Sequence, residues 1–347
     1  MKKLDFVEDN HIHLLCNGDE YFPRLEAAID GAHVEIHLET YIFEYDAVGR
    51  RIAEALMRAV QRGVSVYLLL DGFGSQNLSQ QIIHNLLNSG IKVLIFRPEF
   101  IFSMPRRHRL RRMHRKGPLL ATIHKAAKHL WMIVAWAHLK KRWTNRTNIK
   151  PTEKPAGDQK AALVIRDNWR HRHDIEHAYL DAINQAKSEI IIANAYFLPG
   201  RKFNHALKNA ARRGVRVELL LQGRIEYFLQ HHATQALYEN LSKAGVIIYE
   251  YNRSYLHAKV AVIDQYWATV GSSNIDPFSL LLAREANVII EDHRFAHQLR
   301  ASLKTAIAQE STPVTAASKH IYSWHSYILN WFSFYIVRIM QGLLGYE

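Results

Sequence analysis

The chain has 347 residues, a net charge of +13 at neutral pH and an apolar content of 48%. This length allows two domains of ordinary size, and the apolar content excludes a chain that is disordered throughout. The positive charge favours an anionic partner, but it does not distinguish nucleic acid from an acidic membrane or a phosphorylated substrate. Cys16 is the only cysteine, so an intramolecular disulfide is excluded.

A single cysteine fits a reducing compartment. The N-terminal segment lacks the continuous apolar stretch and the small-residue cleavage site of a secretory signal. No run of about 18 uncharged apolar residues occurs, so the sequence predicts no transmembrane helix. We therefore expect a chain that stays on the cytoplasmic side of the membrane.

The first half of the chain predicts helices and strands in alternation. Segments with helical spacing of apolar residues precede short runs of Val, Ile and Leu, and a glycine marks the junction where a helix should end. The predicted elements are a helix over 22–29, a strand over 34–42, a helix over 49–62, a strand over 64–72, a helix that ends at 89–90 and a strand over 91–96.

The second half repeats this pattern. QRGVSVYLLLDG at 61–72 matches RRGVRVELLLQG at 212–223, and SGIKVLIF at 89–96 matches AGVIIYEY at 244–251. We interpret the repeat as a duplication, which predicts an α/β fold of two tandem βα repeats with mainly parallel sheets flanked by helices and a pseudo-two-fold relation. The matching elements are helices over 175–186 and 203–213, a helix that ends at 244–245, and strands over 189–197, 215–223 and 246–251.

Composition sets the predicted domain boundaries. Residues 150–160 are polar and contain two prolines, which is typical of a linker between an N-terminal half, 1–149, and a C-terminal half, 161–310. The tail over 311–347 is rich in Trp, Tyr, Phe and Ile. It predicts a helix in the head-group layer of a membrane, and the alternative is a helix packed on the core.

The segment after the last matched strand contains the candidate catalytic residues. His257, Lys259 and Asp264 have the spacing HxKxxxxD, and GSSN follows at 271–274. Side chains two residues apart on a strand share a face, which would place an imidazole beside an ammonium group. A histidine can attack a phosphodiester or protonate its leaving group, and a lysine offsets the phosphate charge. The alternative is an ordinary pair of residues at a strand end.

HxKxxxxD followed by GSxN resembles the signature of the phospholipase D superfamily. The segments ETYIFEYDAVG, ANAYFLPG, HAKVAVID and WATVGSSNIDP also resemble bacterial cardiolipin synthases, in particular the shorter B type, and the resemblance covers residues 8–310. It implies a phosphatidyltransferase that joins phospholipids through a phosphohistidine intermediate. Phosphatidylglycerol is the expected substrate, and the chemistry needs no metal and no other cofactor.

The resemblance also assigns roles to single residues. It implies that Asp264 supports the motif and that Glu285 hydrogen-bonds the second ring nitrogen of the histidine. The residues assigned to this site are His257, Lys259 and Asp264 as motif residues, and Ser272, Ser273, Asn274 and Glu285 as phosphate-binding or supporting residues.

The first half carries only part of this motif. His114 and Lys116 keep the HxK spacing, but the aspartate position is Ala121, and Pro118 stands where a strand should continue. No GSxN and no counterpart of the second-half glutamate precede the linker. His114 is therefore expected to be poorly placed, and a displacement of about 1 Å can cost roughly a hundredfold in rate. A plain surface histidine is the alternative.

Several functions stay open at this point. One alternative is a weak enzyme that still uses His114. A second is an enzyme that pairs two intact C-terminal motifs in a homodimer, and a third is a lipid-binding protein without activity. A phosphodiesterase or nuclease of the same superfamily is a further alternative, but the aromatic residues cluster at the C-terminus and not along a basic groove where bases could stack. We favour cardiolipin synthesis by a peripheral membrane protein, with the basic run 105–116 facing anionic head groups and with no nucleic-acid partner.

Overall fold

The computed structural model describes residues 4–72, 74–96, 156–166, 171–276, 285–314 and 324–343. These residues fall into two compact units. The N-terminal unit contains residues 13–154, and the C-terminal unit contains residues 155–347 together with residues 1–12. The basic run 105–116 lies outside the described residues, as does the predicted linker up to residue 155.

The first part of the chain forms a small α/β layer. After β1 (Val7–Asn10), which belongs to the sheet of the C-terminal unit, its elements are α1 (Asn17–Asp30), β2 (Glu35–Thr40), α2 (Ala47–Gln61), β3 (Ser65–Asp71), α3 (Gln80–Asn88) and β4 (Lys92–Phe96). In the N-terminal unit β2, β3 and β4 form a parallel sheet. Helix α2 begins at Ala47 because the side chain of Asp46 accepts a hydrogen bond from the Gly49 N–H. Leu56 of this helix packs with Leu68 of β3 in the buried core.

The C-terminal unit contains one large sheet. Its further elements are β5 (Gln159–Arg166), α4 (Asp174–Gln185), β6 (Glu189–Asn194), α5 (Arg201–Arg212), β7 (Arg216–Gln222), α6 (Phe228–Lys243), β8 (Ile247–Tyr251), β9 (Lys259–Ile263), β10 (Trp267–Gly271), β11 (Glu285–Glu291), α7 (His293–Glu310), β12 (Ser311–Pro313) and α8 (Trp324–Leu343). The strand order among the described residues is β1-β5-β11-β10-β9-β6-β7-β8-β12.

The α/β class and the tandem βα repeats are confirmed. A glycine follows the helix at each of four repeat junctions, and its φ lies between 85° and 94°, the left-handed conformation that suits glycine. These residues are Gly63, Gly90, Gly214 and Gly245. Parallel pairing holds for β2–β3–β4 and for β6–β7–β8. The strands outside these repeat units pair antiparallel, so the larger sheet is mixed. A tight hairpin such as β9–β10 can only be antiparallel.

Helix α8 packs along α6 in the C-terminal unit. It buries Asn330, Ser333 and Val337, which lie three and four residues apart and therefore on one face. The side chain of Asn330 accepts a hydrogen bond of 2.7 Å from the imidazole of His232 on α6. None of the described helices is long and apolar enough to cross a bilayer.

Candidate active site

Four strand ends bring the candidate residues to one edge of the larger sheet. β9 begins at Lys259 and runs antiparallel to β6, which ends at Asn194, and these two residues are paired across the strands. β10 ends at Gly271, and its antiparallel partner β11 begins at Glu285. Antiparallel neighbours begin where their partners end, so all four ends meet at this edge.

His257 and Lys259 have different environments at this edge. Lys259 is 3% exposed, whereas His257 precedes β9 and is exposed. The Nζ atom of Lys259 donates a hydrogen bond of 3.2 Å to the backbone carbonyl of His257. The two residues therefore combine an accessible imidazole with a buried positive charge, which suits attack on a phosphodiester.

The loop after β10 is narrow because side chains of β11 occupy the space beside it. A Cβ atom added to Gly271 would lie 2.2 Å from the Oδ1 atom of Asn287. The same Oδ1 atom accepts a hydrogen bond of 3.4 Å from the Ser273 N–H. The Ser272 hydroxyl donates one of 2.5 Å to Glu285. The loop is therefore fixed by the first residues of β11.

The following residues connect this loop to β6. The N–H of Ile275 donates to the Asn194 side chain over 3.2 Å, and the N–H of Leu198 donates to the Ile275 carbonyl over 2.7 Å. The predicted strand over 189–197 ends at Asn194 because the chain turns there to meet this loop. Asn274 is 8% exposed and precedes the junction. The predicted phosphate loop thus lies beside the Lys259 strand.

Glu285 is 2% exposed and has charged neighbours. Arg166, which is fully buried, is its partner in the β5–β11 pairing. Burial raises the pKa of Glu285 well above its ordinary value. The Ser272 hydrogen bond and the charge of Arg166 oppose the rise, as does the charge of Lys259, while Asp276 adds to it. The hydrogen bond from Glu285 to His257 stays a prediction.

Asp264 lies at the opposite end of β9 from Lys259. Its carboxylate accepts hydrogen bonds from the N–H groups of Lys187, Ser188 and Glu189 over 2.7–3.0 Å. Burial acts to raise the pKa of Asp264, but these hydrogen bonds outweigh it and hold the pKa below its ordinary value. Asp264 therefore fixes the start of β6 against the β9–β10 turn and does not reach the edge that holds the other residues.

Sequence reasoning missed several residues of this edge. Arg166 and Asn194 end buried strands, Asp276 follows the phosphate loop, and Asn287 fills the space beside Gly271. A polar residue that ends an otherwise apolar strand was the available signal for the first two. His114 and Lys116 of the incomplete motif lie outside the described residues.

Comparison with known proteins gives a consistent result. Residues 25–121 and 179–307 match the family described as "Cardiolipin synthase, PLD-like domain". Cardiolipin synthase B of Escherichia coli is 37% identical over 379 aligned positions, which cover 99% of this chain and 92% of the relative. The major cardiolipin synthase of Bacillus subtilis is 27% identical over 86% of this chain and 69% of its own length. Phosphatidylserine synthase of Haemophilus influenzae has a similar fold, with a TM-score of 0.64, 12% identity, and coverage of 97% of this chain and 94% of that one.

The matched residues define a phospholipase D-like protein. Within that class, the chain belongs to the cardiolipin synthase family, a family of phosphatidyltransferases.

The raised pKa of Glu285 predicts a pH-dependent stability. Above the ordinary value of 4.5, the folded chain binds more protons at this site than the unfolded chain does. The free energy of unfolding should therefore fall as the pH rises from 4.5 towards the raised pKa, with a limiting slope of about 1.4 kcal/mol per pH unit. Glu285→Gln has no such titration. Urea unfolding should show that the free energy of unfolding of the variant rises relative to that of the wild type as the pH increases through this window. A difference between the two chains that does not change with pH would contradict the prediction.

The lowered pKa of Asp264 predicts that the free energy of unfolding depends on pH in the opposite direction. Asp264→Asn keeps a residue that tolerates the observed φ of 50° but removes the negative charge. The free energy of unfolding at pH 7 should fall by about 2 kcal/mol, because hydrogen bonds to a charged acceptor are lost. The deficit should shrink as the pH falls from 3.8 towards the lowered pKa, because the unfolded wild-type chain binds a proton there that the folded chain does not yet bind. Equal stability of both chains at pH 7 by urea unfolding would be incompatible with this role.

Proposed function

We propose that the chain is a cardiolipin synthase that transfers a phosphatidyl group between two phosphatidylglycerol molecules. The convergence of His257, Lys259 and the 272–274 loop on one sheet edge carries the proposal. The full-length similarity to proteins named cardiolipin synthase supports a phospholipid as the substrate, in preference to nucleic acid.

The proposed reaction has two displacement steps at phosphorus. In the first, a ring nitrogen of His257 forms a bond to phosphorus, the ester bond to one glycerol head group breaks, and that glycerol leaves with a proton from a general acid. In the second, a hydroxyl of another phosphatidylglycerol attacks phosphorus, gives its proton to the group that acted as the acid in the first step, and displaces the histidine. The products are cardiolipin and glycerol. Lys259 offsets the charge that develops on the phosphate oxygens in both steps.

The identity of the general acid depends on the incomplete first motif. The family match ends at Ala121 in the first half and is 32 residues shorter there than in the second half. The alignment with the E. coli relative spans 379 positions, although this chain has only 347 residues. Both observations support a first motif that has lost its later part. We propose that His114 still acts as the acid, and the alternative acid is His257 of a second copy in a homodimer.

Histidine substitutions test this reaction. In vesicles of phosphatidylglycerol, His257→Ala should lower cardiolipin formation at least about a thousandfold, because the nucleophile is lost. His114→Ala should lower it about a hundredfold or more, because a general acid contributes that much. His297→Ala, an exposed histidine of α7, is the matched control and should retain full activity.

The pattern of loss separates the alternatives. Loss in His257→Ala alone, with a dimer seen by sedimentation, would assign the acid to a second copy. A wild-type chain that binds vesicles and forms no cardiolipin would overturn the proposed activity and leave a lipid-binding protein.

We further propose that α8 holds the protein on the cytoplasmic face of the membrane. Ile328, Phe332, Tyr335 and Ile339 are 54–63% exposed and share one face, opposite the face that packs on α6. We call these four residues the apolar stripe. An amphipathic helix that is rich in aromatic residues lies at the boundary of head groups and acyl chains. The contacts of α8 with α6 support a fixed orientation of this stripe relative to the C-terminal unit.

The apolar stripe predicts vesicle binding. The double variant Phe332→Ser, Ile339→Ser should weaken binding to phosphatidylglycerol vesicles at least about tenfold, because two apolar side chains no longer leave water. Leu87→Ser, which changes an exposed apolar residue of α3, is the control and should bind like the wild type. Co-sedimentation measures both, and undiminished binding of the double variant would rule out the stripe as the anchor.

A further inference from the structure

A partly open cleft lies at the carboxyl ends of β6 and β7, beside the candidate active site. Its lining includes Ala195 and Tyr196 after β6, Gln222 at the end of β7, and Glu226 and His231 further along the chain. We call it the edge cleft. Ligands of parallel βα units bind outside these strand ends, so the position is that of a binding site.

The wall of the edge cleft is joined to the segment that carries the nucleophile. The N–H of Ala195 donates to the carbonyl of Ala258 over 3.0 Å. The N–H of Leu256 donates to Oε1 of Gln222 over 2.8 Å. These two bonds hold the residues immediately before and after His257. A phosphate at His257 therefore has its next substituent at the cleft.

Gln222 supplies a donor that lacks an acceptor. Its side chain is 8% exposed, and the bond from Leu256 fixes which end of the amide is oxygen. Within the described residues, its buried Nε2 atom has no hydrogen-bond partner. A buried donor without a partner is costly, and native sites that contain one commonly satisfy it with a ligand or an ordered water. Gln222 lines the edge cleft, so a ligand in the cleft can supply the missing acceptor.

The charges of the edge cleft are balanced. Glu226 accepts a hydrogen bond from the Tyr196 hydroxyl and adds a negative charge. The guanidinium of Arg224 donates to the backbone carbonyls of the loop after β8 and adds a positive charge. Burial and the neighbouring His232 lower the pKa of His231 to about 4, so this imidazole is neutral at pH 7. The lining therefore offers no excess positive charge to a second phosphate, and a neutral group matches it.

A hydroxyl-bearing group satisfies this lining better than an ammonium group does. An ammonium group would benefit from Glu226 and the ring of Tyr196, but it has only donors and cannot accept from Gln222. A hydroxyl accepts one hydrogen bond and donates another. A group with two neighbouring hydroxyls can bind Gln222 and the carboxylate of Glu226 together.

We propose that the edge cleft binds the glycerol head group of phosphatidylglycerol, with Gln222 donating from Nε2 to a head-group hydroxyl. The assignment rests on the proposed function, because it is the phosphatidylglycerol substrate that carries this group. It makes Gln222 a specificity residue for the head group next to the reacting phosphate.

Binding of soluble diesters tests the proposal without turnover. The full chain with His257→Ala is titrated calorimetrically with three propyl phosphodiesters, whose second alcohol is glycerol, propanol or ethanolamine. The glycerol diester should bind about tenfold tighter than the propanol diester, the ratio expected for one well-placed hydrogen bond. Adding Gln222→Leu should reduce this ratio to within about twofold.

Two further variants sharpen the test. Gln222→Asn keeps an amide but shortens the reach by one methylene, and it should lose the preference as well. Gln298→Leu makes the same change on an exposed position of α7 and should keep the tenfold ratio.

Equal affinities for the glycerol and propanol diesters, tighter binding of the ethanolamine diester, or no binding of any diester overturns the proposal. Equal weakening of both affinities in Gln222→Leu also overturns it, because the residue then acts on the whole site. A tenfold preference in a chain whose wild-type form makes no cardiolipin supports the cleft assignment and counts only against the proposed reaction.

Discussion

The antiparallel pairing of β9 with β6 determines where every group of the candidate site lies. It aligns Ile190 with Ile263 at one end and Asn194 with Lys259 at the other. β6 and β7 are parallel strands whose carboxyl ends form the edge cleft, and only a strand of opposite direction can begin at that edge. A slip of one residue would turn Lys259 to the other face of the sheet. The hydrogen bonds of Asp264 to the backbone at the start of β6 fix the register of β9 against β6 and so oppose this slip. A residue far from the phosphate thus sets the geometry of those near it.

The charge balance of the edge explains why it suits a phosphodiester. Arg166 and Lys259 are cations with at most 3% of their surface exposed, and Glu285 and Asp276 are acids with 2% exposed. Burial of charge is costly unless opposite charges and hydrogen bonds compensate. Burial also favours the protonated form of Glu285, so the edge tends towards an excess of positive charge. In the proposed function, the phosphodiester brings its negative charge to this edge, where Lys259 and Arg166 attract it.

Much of this could be predicted from the sequence because the signals were local. Gly63 and Gly214 occupy equivalent junctions of the repeat, and each adopts the left-handed conformation that ends a helix. HxKxxxxD and GSSN lie within 18 residues of each other, so their convergence needed only one hairpin. Arg166 and Gln222 were missed because their roles depend on pairing with distant segments, β11 in one case and the residues before His257 in the other. The antiparallel strands β1, β5, β11 and β12 were missed for the same reason.

Binding and chemistry are divided between different parts of this chain. The edge cleft, the buried cations and the phosphate loop are all built from described residues of the C-terminal unit. In the proposed reaction the second proton-transfer group comes from the first motif or from a second copy of the chain. We therefore expect loss of the later part of the first motif to lower the rate of reaction more than the affinity for phospholipid, because the groups proposed to hold the substrate remain.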